Sequence, residues 1–518
     1  MIETSFHESM VNQAIQETST TFPMILMMLC SFFLVWLAKF HWDKRKLYRF
    51  AARLPGPPAY PIIGSVLSFI GGPSRVFSNI LALWEAYPDF FRVWFSYRLI
   101  FSTSKPEHLE ILLNNPLSLE KDHFYRFTKP IVGNGLLVAP VDIWRKHRKI
   151  INLAFGQKVL GTFVPIYAEQ SKILITNLEK KVEETDFDIF PLLSAYTLDS
   201  LCESSMGIKV EAQTKSAGLG QWMDEALRIT FIRMANIPYH VDFIFNFTKI
   251  SRILKESLSK FHEFTGKVVK ERSQLFQKKQ VILQRGEEIY EEGIKRQTFL
   301  DLLLQMRGHK FTNEELRDEV DMFTIAGTDT TASTLGFCFI MLGMHQDIQQ
   351  KIYEEVIETL GEDREVNCED LPHMHLLERF IKETLRLFPV APFIVRLTQG
   401  EINIGEHVVP PDCTIFLGIY MVHRDGKYWK DPLKFDPDRF LPEEIKKRHP
   451  YCYLPFAGGP RNCIGYKYAH MVMKTVLSMT LRKFVITTKF KSIVDMKLKA
   501  NVVLRPADGY RVTVHLRE

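Results

Sequence analysis

Cys463 stands in PFAGGPRNCIGYKYAHM (residues 455–471), with small and turn-forming residues before it and a glycine and a helical stretch after it. Glycines permit close backbone approach or positive φ angles, and Pro460 stiffens the turn. The sequence therefore predicts Cys463 just ahead of a helix N-terminus, where the dipole and unpaired N–H groups stabilise a thiolate. Such a thiolate suits a soft metal ligand. A buried structural cysteine in a Gly-rich loop is the competing reading, and the loop alone is compatible with both. A second group lies in FTNEELRDEVDMFTIAGTDTTASTLGFCFIML, where Thr312 and Glu315 have capping-box spacing. They predict a helix of about thirty residues, long enough to cross a domain as its central buried element. Its middle interrupts the apolar pattern with Ala326, Gly327, Thr328, Asp329, Thr330 and Thr331. Glycine weakens a helix there, and Thr and Asp divert backbone hydrogen bonds. Either a cavity abuts the helix at this point or these groups face solvent. A third group, Glu383 and Arg386, is spaced i, i+3 and so shares one helix face.

The elements that must position these residues are mostly helical. With 46% hydrophobic and 24% charged residues among 518, the chain can bury a large core and is not disordered. FRVWFSYRLIF and VVLRPADGYRVTVHL read as strands, the second as a hairpin turning at Asp508–Gly509. The expected fold class is mainly α with small β-sheets, one large body rather than several domains. Its seven cysteines are scattered without a C-x-x-C, which excludes a disulfide framework or a zinc-finger pattern and points to a reducing compartment. The net charge of +6 is uneven. Residues 1–38 hold three Glu and no Lys or Arg, whereas 39–53 hold six basic residues against Asp43. The mild excess elsewhere gives no reason to expect nucleic acid as a partner.

Residues 22–38, FPMILMMLCSFFLVWLA, form an uncharged apolar run near the lower length limit for crossing a bilayer. A cleaved signal peptide would need a basic leader, a shorter core and a small-residue cleavage site, none of which is present. A retained anchor is expected, with a lumenal N-terminus at 1–21 and the positive flank placing the rest in the cytosol. The basic and proline-rich segment 39–60, ending in RLPGPPAY, reads as a hinge ahead of a body spanning 61–518.

FAGGPRNCIG matches the haem-binding signature F-x-x-G-x-R-x-C-x-G of the cytochrome P-450 family at Phe456, Gly459, Arg461, Cys463 and Gly465. AGTDTT resembles the family's oxygen-binding motif, ETLR its E-x-x-R pair, FDPDRF its meander motif with Asp438 where Glu is commoner, and WRKHR its W-x-x-x-R. All five occur in family order, and the resemblance covers nearly the whole chain. It implies a haem-thiolate fold preceded by a transmembrane helix, with Cys463 as the axial ligand of haem b iron. Thiolate ligation pushes electron density into the iron and favours O–O cleavage. The resemblance makes Asp329 and Thr330 the acid–alcohol pair, assigns Thr331 to helix structure, and has Gly327 leaving room for dioxygen. It buries Glu383 and Arg386 with Arg439 to organise the cysteine loop. It makes Trp144, Arg148, Arg396 and Arg461 contacts of the haem propionates.

CESSMG and the helix and cysteine segments also resemble family four and its arthropod relatives, a group known for oxidising long-chain fatty acids and related lipids. Many members esterify a Glu just before the helix glycine to a haem methyl; here that residue is Ala326, so no covalent link is expected through it. The implied activity is monooxygenation of lipophilic substrates (fatty acids, hormones or xenobiotics) in the endoplasmic reticulum membrane. Electrons would come from NADPH-cytochrome P-450 reductase, with cytochrome b5 as a second donor. A haem-thiolate isomerase or dehydratase acting on peroxides is one alternative, and a non-enzymatic haem- or lipid-binding membrane protein another. By resemblance, the apolar stretch 229–250 borders the substrate entrance and dips into the membrane; ordinary core helix is the other reading. Arg145, Lys146, Lys149, Lys467 and Lys474 are expected in part on the face that receives the reductase.

Overall fold

The computed structural model describes residues 24–60, 63–215, 218–285 and 297–518. The helices that matter for the site are α1 Met24–Asp43, α2 Val141–Ile151, α3 Phe190–Leu201, α4 Leu219–Ala235, α5 Lys249–Gln284, α6 Asn313–Met344, α7 His375–Leu387 and α8 Tyr466–Lys483. The strands are β1 Phe90–Phe95, β2 Arg98–Thr103, β3 Phe187–Asp188, β4 Phe393–Leu397, β5 Thr414–Gly418, β6 Phe484–Thr487, β7 Leu498–Ala500, β8 Leu504–Pro506 and β9 Arg511–Leu516. The architecture is mainly α with small sheets.

α6 is the central beam. Both halves of its capping box form: Glu315 N–H donates to Thr312 Oγ1 at 3.1 Å, and Thr312 N–H donates to Glu315 Oε2 at 2.8 Å. Its 32 residues run through the main core, with α3 packed alongside. Gly327 permits that packing, because a Cβ there would lie 2.9 Å from Leu201 on α3. The space assigned by resemblance to dioxygen is thus at least partly taken by a leucine.

β1 and β2 pair antiparallel, and β2 continues in parallel register with β5, which pairs with β4, to give the order β1-β2-β5-β4. On β1, Phe91, Val93 and Phe95 are buried while Phe90, Arg92 and Trp94 are only partly so, the alternation of a half-buried strand. The tail differs from the expected hairpin. The Gly509 turn exists, with φ +83°, but the strands on either side of it join different sheets. β8 pairs with β7, whereas β9 pairs with β6 and β3. The physical reason is Tyr510, which is buried against Phe190 and Phe337 while its N–H donates to Asp188. That anchor draws the chain into a second sheet before it can fold back on β8.

α1 is fully exposed along its most apolar window and is long enough to cross a membrane, about 30 Å at 1.5 Å per residue. α6 meets the same criteria but is mostly buried, as a core helix should be. α1 continues past the apolar run to Asp43, while residues 1–23 lie outside those described. The basic segment after it packs on the body. Helix Arg45–Ala51 buries Leu47, Phe50 and Ala51, with the Phe50 ring 5.5 Å from Phe101 on β2. The proline stretch also leans on the body, where Arg92 N–H donates to Pro55 O at 2.8 Å.

Candidate active site

The cysteine loop is wound by two short turns. Cys463 N–H donates to Phe456 O at 2.9 Å and Asn462 N–H to Gly459 O at 3.1 Å. Gly459 has φ +70°, and a Cβ there would run into the Leu113 carbonyl, so glycine is required on both counts. Gly465 is the N-cap of α8, placing Cys463 two residues ahead of the cap. Arg148, on α2, donates to Asn462 O and Oδ1, both at 2.7 Å. Burial pushes the Cys463 thiol up, while the Gly465 N–H and the Arg148 guanidinium oppose that shift. The side chain nonetheless retains accessible surface. A sulfur enclosed by protein yet accessible, with a backbone donor and a cation beside it, is arranged as a ligand rather than as packing.

A cluster of cations lies beside the loop. Arg461 sits over the Trp144 ring at 4.7 Å and donates through Nη2 to Ala139 O, but its Nε and Nη1 are buried without partners. Burial, with Arg396 next, lowers the Arg461 pKa to about 10. Arg396 on β4 is buried, and burial lowers its pKa too. Lys121 is held well below the usual lysine range by burial and then by Arg396 and Arg461. Glu120 is the acidic group that opposes them. Three cations sharing one carboxylate, two guanidinium nitrogens orphaned, describe a site for anions.

The Glu383–Arg386 pair on α7 supports the loop from the other side. The fork is bidentate, at 2.6 Å and 2.8 Å, and both side chains are fully buried. Arg386 Nη1 also donates to His423 O and Pro432 O at 2.8 Å, Asp436 N–H donates to Glu383, and Arg439 Nε stands 3.5 Å from Glu383. His423 carries the scaffold onward. Its Nε2 accepts from Leu454 N–H at 2.7 Å, so the proton is on Nδ1, which faces Arg386 O at 3.2 Å. Burial and then Arg386 push His423 down to about 3. Because that lies below its unfolded value near 6.5, the buried neutral ring stabilises the fold above about pH 6.5 and that contribution is lost as pH falls towards 3. Stability is therefore expected to decline by up to ~1.4 kcal/mol per pH unit over that window, measured by urea unfolding at successive pH values. Glu378 begins to contribute to acid loss only later: burial would raise it, but Lys382 and Lys474 hold it at about 2.

Along α6 from Glu319 to Leu342, only Ala326, Gly327 and Thr330 keep partial accessibility. Ala326 and Thr330, at i and i+4, share one face of the helix, while Gly327 lies against Leu201 and the remaining residues are buried. The polar break therefore faces an interior space and not bulk solvent. Thr330 Oγ1 donates to Ala326 O at 2.7 Å. Asp329 points elsewhere: its Oδ1 accepts from Arg505 Nη2 on β8, while Oδ2 is buried without a partner. Burial raises the Asp329 pKa against the pull of Arg505. Arg505 also reaches Asp224 on α4 at 2.5 Å, and its guanidinium lies 4.2 Å over Phe190.

The family model "Cytochrome P450" matches residues 54–514. The chain is a cytochrome P-450. It is 32% identical to "Cytochrome P450 4c3" of Drosophila melanogaster over 99% of this chain and 98% of that one. It is 33% identical to "Probable cytochrome P450 4s3" of Drosophila melanogaster, covering 91% and 94%, and 32% identical to "Cytochrome P450 4V2" of Rattus norvegicus, covering 89% of each. It is therefore a haem-thiolate monooxygenase that uses O2, a redox partner and lipophilic substrates.

The residues of this P-450 fit a haem b. Cys463 presents an accessible sulfur, and the unpaired donors of Arg461, with Arg396 and Lys121, suit the two propionates. Trp144 braces Arg461 from below, whereas Arg148 spends two donors on Asn462 and so holds the loop. Phe456 packs near His470 at 5.4 Å and Tyr466 at 6.3 Å. Lys474 departs from its expected place on the docking face. It is buried, with its ammonium 3.2 Å from Glu378, because α8 turns that side inward towards α7. Arg145, Lys146 and Lys149 are exposed on α2. Sequence reading missed Lys121, His423, Asn462, Arg505 and Asp224. Asn462 lies inside the quoted motif, but the others join it only through contacts distant in sequence.

Proposed function

We propose that this P-450 is anchored in the endoplasmic reticulum membrane by α1 and hydroxylates fatty acids or similar long-chain lipids, with NADPH-cytochrome P-450 reductase as donor and cytochrome b5 as a second one. The observation that carries the reading is the partly accessible pair Ala326 and Thr330, one turn apart on an otherwise buried helix, together with an accessible thiol. Two features support entry from lipid. The exposed apolar helix α1 adjoins the body, and the stretch after α4 exposes Val241, Phe243, Ile244 and Phe247, the two phenylalanines at 73% and 75%. Most of that stretch is therefore surface rather than core.

When bound, the haem supplies the oxygen-activating chemistry, and thiolate ligation through Cys463 favours O–O cleavage. The chain does the rest. The Gly465 N–H tempers the sulfur's charge, and Arg148 fixes the loop that presents it. Arg461, Arg396 and Lys121 would hold its propionates. Thr330 presents a hydroxyl whose proton rests on the Ala326 carbonyl and whose lone pairs remain available to accept. Asp329, half clamped by Arg505, keeps Oδ2 free to take up or release a proton, and its raised pKa suits that exchange. Buried neighbours keep bulk water from this part of α6. Thr330→Ala is expected to preserve substrate binding but lower product per NADPH by up to about 10²-fold, with the electrons recovered as peroxide. Substrate-induced spectral titration and a peroxide assay check it; unchanged coupling would remove the hydroxyl from its role.

The presence of both Asp329 and Thr330 argues against a peroxide isomerase, which needs no proton relay to dioxygen. The deciding experiment reconstitutes the anchored protein with reductase and NADPH and offers fatty acids of graded chain length, with products identified by mass spectrometry. Hydroxylation near the chain terminus supports the reading. No turnover by protein with an intact haem-thiolate spectrum would transfer the activity to xenobiotics or to isoprenoid and steroid-like molecules.

A further inference from the structure

We propose that a surface pocket of about 240 Å³ seats the anionic headgroup of a membrane phospholipid, between the β1–β2 turn, the segment His123–Phe127 and residues 237–241. This rests on the membrane placement proposed above. The lining brings together Arg98, Arg126, His123 and His240 and includes no Asp or Glu. The acids nearby are already occupied: Asp122 Oδ2 accepts from Thr414 at 2.6 Å and Oδ1 from the Phe124 N–H at 2.9 Å, Asp412 lies 3.6 Å from the Lys44 ammonium, and Asp242 pairs with Arg233. Arg126 donates once, to His240 O at 3.0 Å, and Arg98 lies against the Tyr97 ring at 5.5 Å. Most of their guanidinium donors remain free for phosphate oxygens, which arginine recognises bidentately. Both histidines are shifted down, His123 by burial and then Arg98, His240 by burial with Arg126 and Arg98 adding to it against the pull of the Met234 carbonyl. His240 spends its one ring proton on Met234 O at 3.0 Å, so the donors that face an anion are those of the two arginines, with His123 beside them.

Location selects a lipid over a soluble anion. Tyr97, on the pocket wall, meets the end of α1: its ring is 6.0 Å from Phe40 and 5.2 Å from the Lys44 ammonium. Val241, on the opposite wall, leads directly into exposed Phe243, Ile244 and Phe247. The pocket thus lies between two apolar features that belong in hydrocarbon, at the depth where headgroups sit. Its floor is aromatic, with Phe95 stacked on His240 at 5.7 Å and Phe127 at 4.7 Å from the same ring, which suits the glycerol and the first carbons of a lipid. A free phosphate would gain nothing from these surroundings.

The test places the full-length holoprotein in phosphatidylcholine nanodiscs carrying a photoactivatable probe near the headgroup, either phosphatidic acid or phosphatidylcholine. Cross-linked peptides are mapped by mass spectrometry. Peptides containing residues 95–98, 123–127 and 237–241 should label more with phosphatidic acid, and each of Arg98→Gln and Arg126→Gln should reduce that excess by about five-fold, the weight of one basic residue at an anionic surface. Arg98→Lys with Arg126→Lys should restore part of it, and an unchanged carbon monoxide spectrum certifies the fold of each variant. Equal labelling by both probes, or labelling indifferent to the arginines, overturns the assignment. So does displacement of the probe by added oleate, which would give the pocket to a free carboxylate. If the protein fails to enter nanodiscs at all, the membrane placement itself falls.

Discussion

Cys463→Ala should leave a protein that, after reduction and exposure to carbon monoxide, lacks the red-shifted haem-thiolate Soret band and has no NADPH-dependent oxygenase activity. The expectation follows from the loop's construction. Six other cysteines are present, but Cys202, Cys338, Cys413 and Cys452 are buried in cores, and Cys30 lies on exposed α1. Burial pushes the thiols of Cys338 and Cys452 up to about 12, so neither offers a ready thiolate. Cys368 is partly accessible but packs where a Cβ on Gly161 would touch its sulfur, far in sequence from the loop. No second sulfur can substitute at the end of α8. The fold should survive, because the turns at Gly459 and Phe456 and the Arg148–Asn462 bonds do not involve the sulfur. Circular dichroism and the carbon monoxide difference spectrum test the two halves of the claim separately. A retained red-shifted band in the alanine variant would remove Cys463 as ligand.

Glu383→Ala should be at least as damaging, but to the protein rather than to the chemistry. Removing one partner of a buried ion pair strands the other charge, at a cost of about 3–5 kcal/mol. Typical domains have only ~5–15 kcal/mol in total. Here the stranded Arg386 would still bond His423 O and Pro432 O, but it would lose its bidentate carboxylate, and the Asp436 N–H would lose its acceptor. Arg439 would lose the same carboxylate. The expected result is a sharp fall in recovered haem-loaded protein and a lower urea midpoint for whatever folds. Arg386→Lys should fare little better, since an ammonium cannot span Glu383 and the three backbone carbonyls of His423, Pro432 and Lys434 as a planar guanidinium does. Wild-type yield and midpoint in Glu383→Ala would show the pair to be dispensable.

Much of the site was legible because its parts are local. A glycine-rich turn ahead of a helix, a capping box and an i, i+3 pair each fit within one short stretch of chain, and backbone geometry then places them. The polar break in α6 raised the right question, but deciding between cavity and solvent required the neighbours of Ala326 and Thr330. Arg505 was invisible because it acts across 176 residues on Asp329, and nothing in LRPADGY distinguishes it from any strand arginine. The tail hairpin was misread for a related reason. The turn residues were correct, but the strand partners were chosen by the burial of Tyr510. Lys474 shows the converse error: charge suggested surface, and a distant carboxylate on α7 permitted burial.

The bond from Arg148 to Asn462 also sets a length scale for electron delivery. α2 turns Arg145, Lys146 and Lys149 outward, while Arg148 grips the residue next to Cys463. The exterior and the sulfur's own loop are thus separated by the thickness of one helix, about 10–12 Å. A redox partner settling on that basic face would stand within tunnelling reach of the metal ligand. Arg148 would then couple the docking helix directly to the loop that presents the sulfur, because one side chain joins the two.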